Sequence, residues 1–322
     1  MFPSGEEAVV KPEPSPRVLP LFTLGALPPV LFMVLILILL LGQKAQAGPS
    51  FDLQTSIDQE GSSNEALIFQ QQNRGRMEAA IKQLGEDNIA RIEQMAGDEQ
   101  NALIDQLGSA NEAYITILEG LMGRAEIFQE GSFNYASIHS AGSYSSLILQ
   151  KGDGNTATID QPDPESRFNT AAIRQYGTMN GLLGADPVRI TQQGGHFNTA
   201  SIIQGSAGDE VVGNLAAIFQ DGSQNMALIE QRSSDNEARI YSTGTGNGTI
   251  DLSGDGAADP VAIIQELGTG NYGLIQQDGS FNGALIEQSG SDNEAYIFQI
   301  GDYNRATVRQ TGNGNVARID QG

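Results

Sequence analysis

The side chains that could carry out catalysis or bind a metal are few and scattered in this sequence. It has no cysteine and only two histidines, His139 and His196, which lie far apart along the chain. Without cysteine there is no thiolate nucleophile, no disulfide and no thiolate zinc site. Carboxylate pairs such as Asp98-Glu99 occur, but in a chain with 39 acidic residues they are expected on a solvated surface. The sequence therefore predicts a protein that is not an enzyme and that needs no cofactor.

Turns rich in Gly, Asp and Asn offer one pattern that could bind a cation. Residues 152–155 and 301–304 resemble turns of calcium-binding β-rolls. Those repeats have a period of about nine residues, whereas the period here is 11 residues and the turn Asp is irregular. Turn formation is therefore the favoured interpretation, with calcium binding as the alternative.

Side-chain amides dominate the sequence. Fifteen Asn residues each start a unit in which Ile or Val follows four residues later, and fourteen of these units carry Ala at the second position after the Asn. Twelve carry Gln six residues after the Asn. The unit is Asn-x-Ala-x-Ile-x-Gln, and units most often begin 11 residues apart, as do Asn271 and Asn282. Weaker units that lack the Asn, among them those beginning at positions 186, 246 and 259, bring the total to 23.

The alternation within each unit predicts a β-strand. Asn, Ala, Ile and Gln share one face of this strand, while the variable residues share the other. Two consecutive units joined by a turn would form a coil of 22 residues, and coils would stack about 4.7–4.8 Å apart through main-chain hydrogen bonds. The predicted fold class is all-β, a β-solenoid of stacked strand-turn-strand coils that is amyloid-like.

Stacked coils place like residues above one another, so the amides are expected to form hydrogen-bonded ladders around an aliphatic core. The predicted ladder residues in the more regular part of the chain are Asn214, Asn225, Asn271, Asn282, Asn293, Asn304, Asn315, Gln220, Gln231, Gln277, Gln288, Gln299, Gln310 and Gln321. The predicted core residues there are Ile218, Ile229, Ile275, Ile286, Ile297, Val308 and Ile319.

Irregular spacing between some units predicts surface loops near residues 162–168, 177–186 and 205–213. Pro187 and Pro260 fall within weak units. Because proline lacks a main-chain donor, the coils that contain them are expected to be the most poorly paired.

The first 47 residues differ from the rest. Their beginning is Pro-rich, residues 18–42 are apolar, and Ala45 and Ala47 form the small-x-small pattern that signal peptidase cleaves. Residues 1–47 are therefore predicted to be a signal peptide, and residues 48–322 the mature solenoid. An uncleaved membrane anchor is the alternative, because the apolar stretch is long enough to cross a bilayer. Both interpretations place the repeats outside the cytoplasm.

The charge balance excludes one class of partner. There are 17 basic and 39 acidic residues, for a net charge of −22. Nucleic-acid binding needs clustered Lys and Arg, so no nucleic-acid partner is predicted. Contact with a membrane is expected only through the N-terminal segment.

The unit Asn-x-Ala-x-Ile-x-Gln, followed by x-Gly-x-x and the next Asn, resembles the curlin repeat of curli-type bacterial amyloid subunits. The clearest matches are Gln277, Gly279, Asn282, Ala284 and Gln288, with similar sets in residues 220–231 and 299–310. The resemblance extends over about residues 53–322. It implies an extracellular fibre subunit of a biofilm matrix that adheres to surfaces and self-associates. It also implies export through the periplasm and an outer-membrane pore, and a nucleator subunit as a further partner.

A monomeric, secreted β-solenoid that acts as an adhesin or surface-binding protein is the alternative function. It would share the fold and differ at the ends, since monomeric solenoids cap their terminal coils. The unit at residues 315–321 is followed by a single residue. A bare edge strand is therefore expected there, and it favours end-to-end stacking.

Overall fold

The computed structural model describes residues 53–71, 75–95, 98–119, 121–142, 144–181, 187–248 and 260–322. The signal peptide or anchor predicted at residues 1–47 lies outside these ranges. Within them, no helix has the length and apolar character needed to cross a membrane.

Twenty-three β-strands make up the described chain, as the alternation of the repeat predicts. Their bounds are β1 Leu53–Ser62, β2 Glu65–Gln71, β3 Met77–Glu86, β4 Ile89–Met95, β5 Asp98–Ser109, β6 Glu112–Ile117, β7 Leu121–Ser132, β8 Tyr135–Ser140, β9 Tyr144–Lys151, β10 Thr156–Gln161, β11 Asn169–Thr178, β12 Val188–Gln193, β13 Thr199–Gln204, β14 Val211–Val212, β15 Leu215–Ser223, β16 Met226–Gln231, β17 Glu237–Thr245, β18 Val261–Leu267, β19 Tyr272–Asp278, β20 Gly283–Ser289, β21 Glu294–Ile300, β22 Arg305–Thr311 and β23 Val316–Gln321.

The strands form two sheets that face each other. Sheet 1 has the order β1-β3-β5-β7-β9-β11-β13-β16-β18-β20-β22, and sheet 2 has the order β2-β4-β6-β8-β10-β12-β15-β17-β19-β21-β23. Each coil contributes one strand to each sheet, so there are 11 coils. Neighbouring strands are parallel and pair like with like, for example Ile286 with Val308 and Gln288 with Gln310. The predicted β-solenoid is confirmed. Residues at the same position in successive strands of one sheet are called a column below.

The core lies between the two sheets and is made of Ala and Ile columns. In β21, Ala295, Ile297 and Gln299 are buried while the residues between them are more exposed. Small residues of one sheet face large residues of the other, since a Cβ added at Gly273 would lie 2.8 Å from Cγ2 of Ile263. This size alternation lets a thin core reach close packing.

The turns share one backbone conformation, in which fixed positions of the repeat adopt positive φ. The residue before the Asn of each half-unit has a positive φ, and this holds for side chains as large as Phe281 (57°) and Tyr303 (60°). Two residues earlier, Gly279 has a φ of 131°. A Cβ at Gly279 would collide with the carbonyl oxygen of Gly301 in the next coil. Only glycine permits coils to approach this closely at the turn.

In two places inserted residues fall within a half-unit rather than between half-units. Asn180 and Asn247 occupy the first position of their half-units, and Val188 and Val261 occupy the third. The sequence assignment of separate units at positions 246 and 259 was therefore wrong, because Asn247 and Val261 belong to one half-unit; position 259 itself lies outside the described ranges. Within the described residues, the solenoid contains two half-units in each of 11 coils, which makes 22 and not 23.

The three expected loops differ in how they are built. Residues 162–168 connect β10 to β11. Residues 205–213 connect β13 to β15 and include β14, which pairs with Gly177 and Thr178 of β11. The loop expected at 177–186 was placed too early, because its first two residues end β11. Residues 182–186 lie outside the described ranges.

Pro187 and Pro260 lie just before β12 and β18, outside both strands. They therefore remove no donor from the paired part of a strand. Pairing is nevertheless short in these coils, with four residues of β12 matched to β10 and five of β18 matched to β16.

Glycine stacking at the turns gives a testable expectation. Replacing Gly279 with Ala should destabilise the fold by about 1–3 kcal/mol more than replacing Gly208 with Ala. Both glycines have φ above 100°, but a Cβ at Gly208 would meet nothing within 4 Å. The measurement is the urea midpoint of freshly diluted, monomeric chain for each variant. Equal midpoints would show that backbone strain, and not contact between coils, explains the glycine.

Candidate functional site: amide ladders and the ends of the solenoid

An uninterrupted ladder of Asn side chains runs along the whole of sheet 2. In each step the main-chain N–H of one Asn donates to Oδ1 of the Asn in the preceding coil, at 2.9–3.2 Å. The ladder consists of Asn64, Asn88, Asn111, Asn134, Asn155, Asn180, Asn214, Asn236, Asn271, Asn293 and Asn315. The side-chain Nδ2 usually donates to a turn carbonyl of the next coil, as Asn293 does to Gly312 at 2.7 Å. Most of these Asn side chains thus tie their own turn to the following one, while Asn214 Nδ2 is buried without a partner.

The Asn ladder of sheet 1 is shorter. It consists of Asn169, Asn198, Asn225, Asn247, Asn282 and Asn304. In the five preceding coils other residues hold this position, among them Gly123 and Tyr144. The buried ring of Tyr144 fills the space that a side chain at Gly123 would occupy. No hydrogen-bond partner reaches the Tyr144 hydroxyl, and burial raises its pKa well above the usual value.

A ladder of Gln side chains runs the full length of sheet 1. Each Nε2 donates to Oε1 of the Gln in the next coil, at 2.6–3.1 Å. The ladder consists of Gln59, Gln83, Gln106, Gln129, Gln150, Gln175, Gln204, Gln231, Gln265, Gln288 and Gln310. The same amides close the end of the core, since Gln288 Nε2 also donates to the carbonyls of Tyr272 (2.9 Å) and Asn293 (3.0 Å).

The Gln ladder of sheet 2 is broken into three segments. They are Gln70–Gln94, Gln161–Gln192–Gln220 and Gln277–Gln299–Gln321, with Nε2 to Oε1 distances of 2.5–2.9 Å. Ile117, Ser140 and Ser242 hold the intervening positions. The Ser242 hydroxyl is buried without a hydrogen-bond partner, so the column loses side-chain bonding at this coil.

The structure brings the sequence-predicted site residues together in these columns. Sheet 1 contains Asn225, Asn282, Asn304, Gln231, Gln288 and Gln310, with Ile229, Ile286 and Val308 in its core column. Sheet 2 contains Asn214, Asn271, Asn293, Asn315, Gln220, Gln277, Gln299 and Gln321, with Ile218, Ile275, Ile297 and Ile319 in its core column. Asn180 and Asn247 were missed, although each lies 11 residues after a recognised Asn, at positions 169 and 236.

Turn carboxylates form hydrogen bonds between neighbouring coils. Asp153 Oδ1 accepts a hydrogen bond from the main-chain N–H of Ser132, and Asp302 Oδ1 accepts one from Ser280, each at 2.7 Å. These are the turn carboxylates that the sequence offered as calcium ligands. Among the described residues, no three acidic or histidine side chains converge on a point where a metal ion could be held.

Both histidines contact neighbouring coils. His196 Nδ1 accepts a hydrogen bond from the main-chain N–H of Arg167 at 3.0 Å. On the outer face of sheet 2, His139 Nδ1 lies 3.1 Å from Asp160 Oδ1, and Arg189 lies 3.3 Å from the other carboxylate oxygen. The hydrogen bond with Asp160 raises the pKa of His139, and the same bond lowers the pKa of Asp160.

The two ends of the described solenoid present unpaired strand edges. β1 and β22 are the outermost strands of sheet 1, and β2 and β23 are those of sheet 2. Every residue of β1 is exposed, and β23 is at most half-buried. In the N-terminal coil, the Gln70 Oε1 atom is buried without a hydrogen-bond partner. These edges are therefore incomplete copies of the stacking seen between internal coils.

The family model of the curlin associated repeat matches residues 124–162, 268–301 and 295–322. These segments correspond to β7–β10 and β19–β23. The resemblance of the repeat to the curlin repeat is thereby confirmed in these segments. Comparison with curated proteins gives no match.

Alternation between inner and outer faces predicts very different effects at adjacent residues. Ile286→Asp should destabilise the fold by about 3–5 kcal/mol, because it buries an unpaired charge in the dry core. Leu285→Asp, on the outer face of the same strand, should shift stability by less than about 1 kcal/mol. Urea unfolding of the two monomeric variants measures this. Similar losses in both would contradict the assignment of the faces.

The His139–Asp160 contact predicts a pH dependence with a definite sign. A raised His139 pKa contributes stability that is present at low pH and lost as pH rises through that pKa. A lowered Asp160 pKa contributes stability that is lost as pH falls through it. His139→Gln should therefore lower the unfolding midpoint more at pH 5.5 than at pH 8.5. His196→Gln is the control, and a pH-independent effect of His139→Gln would contradict the role of the ion pair.

Proposed function

Because the chain carries curlin associated repeats on a β-solenoid, we propose that it is the structural subunit of an extracellular curli-like fibre. The curlin repeat family is a structural, non-enzymatic one. A fibre subunit of this kind has to attach to its neighbours by the same contacts that hold it together.

The observation that supports this proposal most strongly is the unpaired strand edge on each of the outermost described coils. Internal coils are joined by main-chain hydrogen bonds, by Asn and Gln ladders and by Ile columns, and nothing in these contacts depends on chain connectivity. An end coil with exposed main-chain groups and a bare amide column can accept another coil of the same kind. The solenoid is thus built to lengthen by adding subunits at its ends.

Export and location follow from the same proposal. The secreted chain would cross the periplasm and an outer-membrane pore before folding, and the absence of cysteine means that no oxidation step is needed on the way. A nucleator subunit with a matching end would start the fibre at the cell surface. The fibre would then contribute to a biofilm matrix and to adhesion.

Seeded assembly tests the proposal. Full chain is purified in denaturant, diluted to micromolar concentration and followed by thioflavin fluorescence, with and without preformed fibres. We expect seeds to abolish the lag phase, and sheared seeds to speed growth in proportion to the number of ends. Fibre diffraction should show spacings of about 4.7–4.8 Å and about 10 Å.

One outcome would favour the alternative function, a monomeric β-solenoid. A chain that folds to β-structure yet stays monomeric for days, with no response to seeds, would contradict the fibre and indicate a monomeric solenoid that binds surfaces. Growth that responds to seed mass but not to the number of seed ends would contradict addition at the ends.

A further inference from the structure

Two pairs of tyrosines contact each other across neighbouring coils on the outer face of sheet 2. The rings of Tyr114 and Tyr135, in β6 and β8, have centroids 5.8 Å apart and planes tilted by 42°. The rings of Tyr272 and Tyr296, in β19 and β21, have centroids 5.5 Å apart and planes tilted by 41°. The same geometry therefore occurs twice, and at these distances the ring edges touch.

Each pair shares a glutamate that makes the same two contacts. Glu112 Oε2 accepts a hydrogen bond from the Tyr114 hydroxyl at 3.3 Å. Glu294 Oε2 accepts one from the Tyr296 hydroxyl at 2.9 Å. In the neighbouring strand, the other tyrosine of each pair is the register partner of that glutamate. Each cluster thus contains two phenols in contact and one carboxylate that can accept a proton from one of them.

The protonation of these phenols suits oxidation rather than acid–base chemistry. The hydrogen bond to Glu294 raises the pKa of Tyr296. Burial raises the pKa of Tyr114 and of Tyr272. These phenols therefore remain protonated at neutral pH, since the usual pKa is already about 10. A phenol gives up an electron more readily when its proton can leave at the same time, and a carboxylate at hydrogen-bond distance accepts that proton.

The other four tyrosines are placed differently, and all eight tyrosines of the chain lie in its described part. Tyr241 and Tyr303 contact phenylalanine rings instead. Tyr144 is buried, and Tyr176 contacts no second aromatic ring among the described residues. Tyr303 is 71% exposed, more than any other tyrosine, and so provides a control for oxidation that depends on exposure alone.

We propose that each of the two tyrosine pairs is a site of oxidative cross-linking, at which hydrogen peroxide, used by a haem peroxidase, joins the two rings as dityrosine. Each tyrosine loses one electron and its phenolic proton, and the two radicals form one carbon–carbon bond between ring carbons next to the hydroxyls. The hydrogens on these carbons then move to the oxygens, which restores both phenols. In total two hydrogen atoms leave the pair, and one hydrogen peroxide is reduced to two waters.

Either cross-link would join two neighbouring coils covalently. The link between Tyr114 and Tyr135 would span the junction of β6 and β8, where Ile117 and Ser140 interrupt the Gln column of sheet 2. It would also close a loop in the unfolded chain, which favours the folded state as a disulfide does. The inference does not depend on the proposed fibre, because both members of each pair belong to one chain.

Oxidation of the full chain tests the proposal. Freshly diluted, folded chain is treated with hydrogen peroxide and a haem peroxidase, digested after glutamate and mapped by mass spectrometry, since this digestion separates the members of each pair. We expect two cross-linked peptides, each lighter by two hydrogen atoms than its two components together. Each should be at least about tenfold more abundant than any link to Tyr303, because the paired rings are already in contact. Oxidation in denaturant should abolish this preference.

Phenylalanine variants keep the ring and remove the hydroxyl. Tyr135→Phe should remove the link to Tyr114 and leave the other link intact, and Tyr272→Phe should do the reverse. Tyr303→Phe is the control and should leave both links. Links that form equally among all exposed tyrosines, or that persist when one member of the pair is replaced, would overturn the proposal.

Glutamine variants test the proton transfer. Glu294→Gln should slow the link between Tyr272 and Tyr296 by at least about tenfold, because its carboxylate no longer accepts the phenolic proton. The other link, formed in the same molecules, is the internal control, and Glu112→Gln should reverse the pattern. Unchanged rates of both links in both variants would overturn the role of the glutamates as proton acceptors.

Discussion

Buried amides are costly unless they are hydrogen-bonded, and this cost fixes the register of the solenoid. An unsatisfied buried amide costs about 1–3 kcal/mol, and Asn and Gln columns lie at both ends of a core that is otherwise Ala and Ile. A slip of one residue in any coil would move its amides to solvent and its charged residues into the core. The spacing of the half-units can therefore vary only where the extra residues leave the sheets altogether, as at residues 162–168.

The inner and outer faces of the strands differ in charge, and this difference follows from the same constraint. The inner columns are uncharged, so adding a coil buries no charge and needs no counterion. Nearly all of the charge, with its net value of −22, is left to the outer faces, the turns and the loops. Exposed ion pairs such as Lys151–Glu130 join neighbouring coils there and contribute little to stability individually. Excess negative charge on the sides opposes lateral contact between solenoids.

Much of the architecture could be predicted from the sequence, because individual residues reveal both the alternation along each strand and the 11-residue spacing of the half-units. Alternation places Ile297 inside and Tyr296 outside, and the 11-residue spacing places Asn293 two half-units before Asn315. Prediction from the sequence failed where residues are inserted within a half-unit. Asn180 and Asn247 lie eight or more residues from the rest of their inner faces, so no local pattern connects them to Val188 and Val261.

Contacts between coils were the other part that could not be predicted. The ring of Tyr144 replaces an absent side chain at Gly123, and His139 meets Asp160 from 21 residues away. Both depend on which residue lies above which, and that register is known only once every insertion has been placed. The structure therefore shows which side chains contact each other across coils, whereas the repeat pattern alone does not.

The breaks in the Gln column of sheet 2 have a mechanical consequence. Coils of a solenoid contact only their neighbours, so each junction is separately weak or strong. Every junction keeps the Gln column of sheet 1 and the Asn column of sheet 2. Around Ile117 and Ser140 these are the only amide columns, because the Gln column of sheet 2 and the Asn column of sheet 1 are both interrupted there. Under tension along the axis, the junctions between β4, β6 and β8 would therefore open before those between β19, β21 and β23, where all four columns are present.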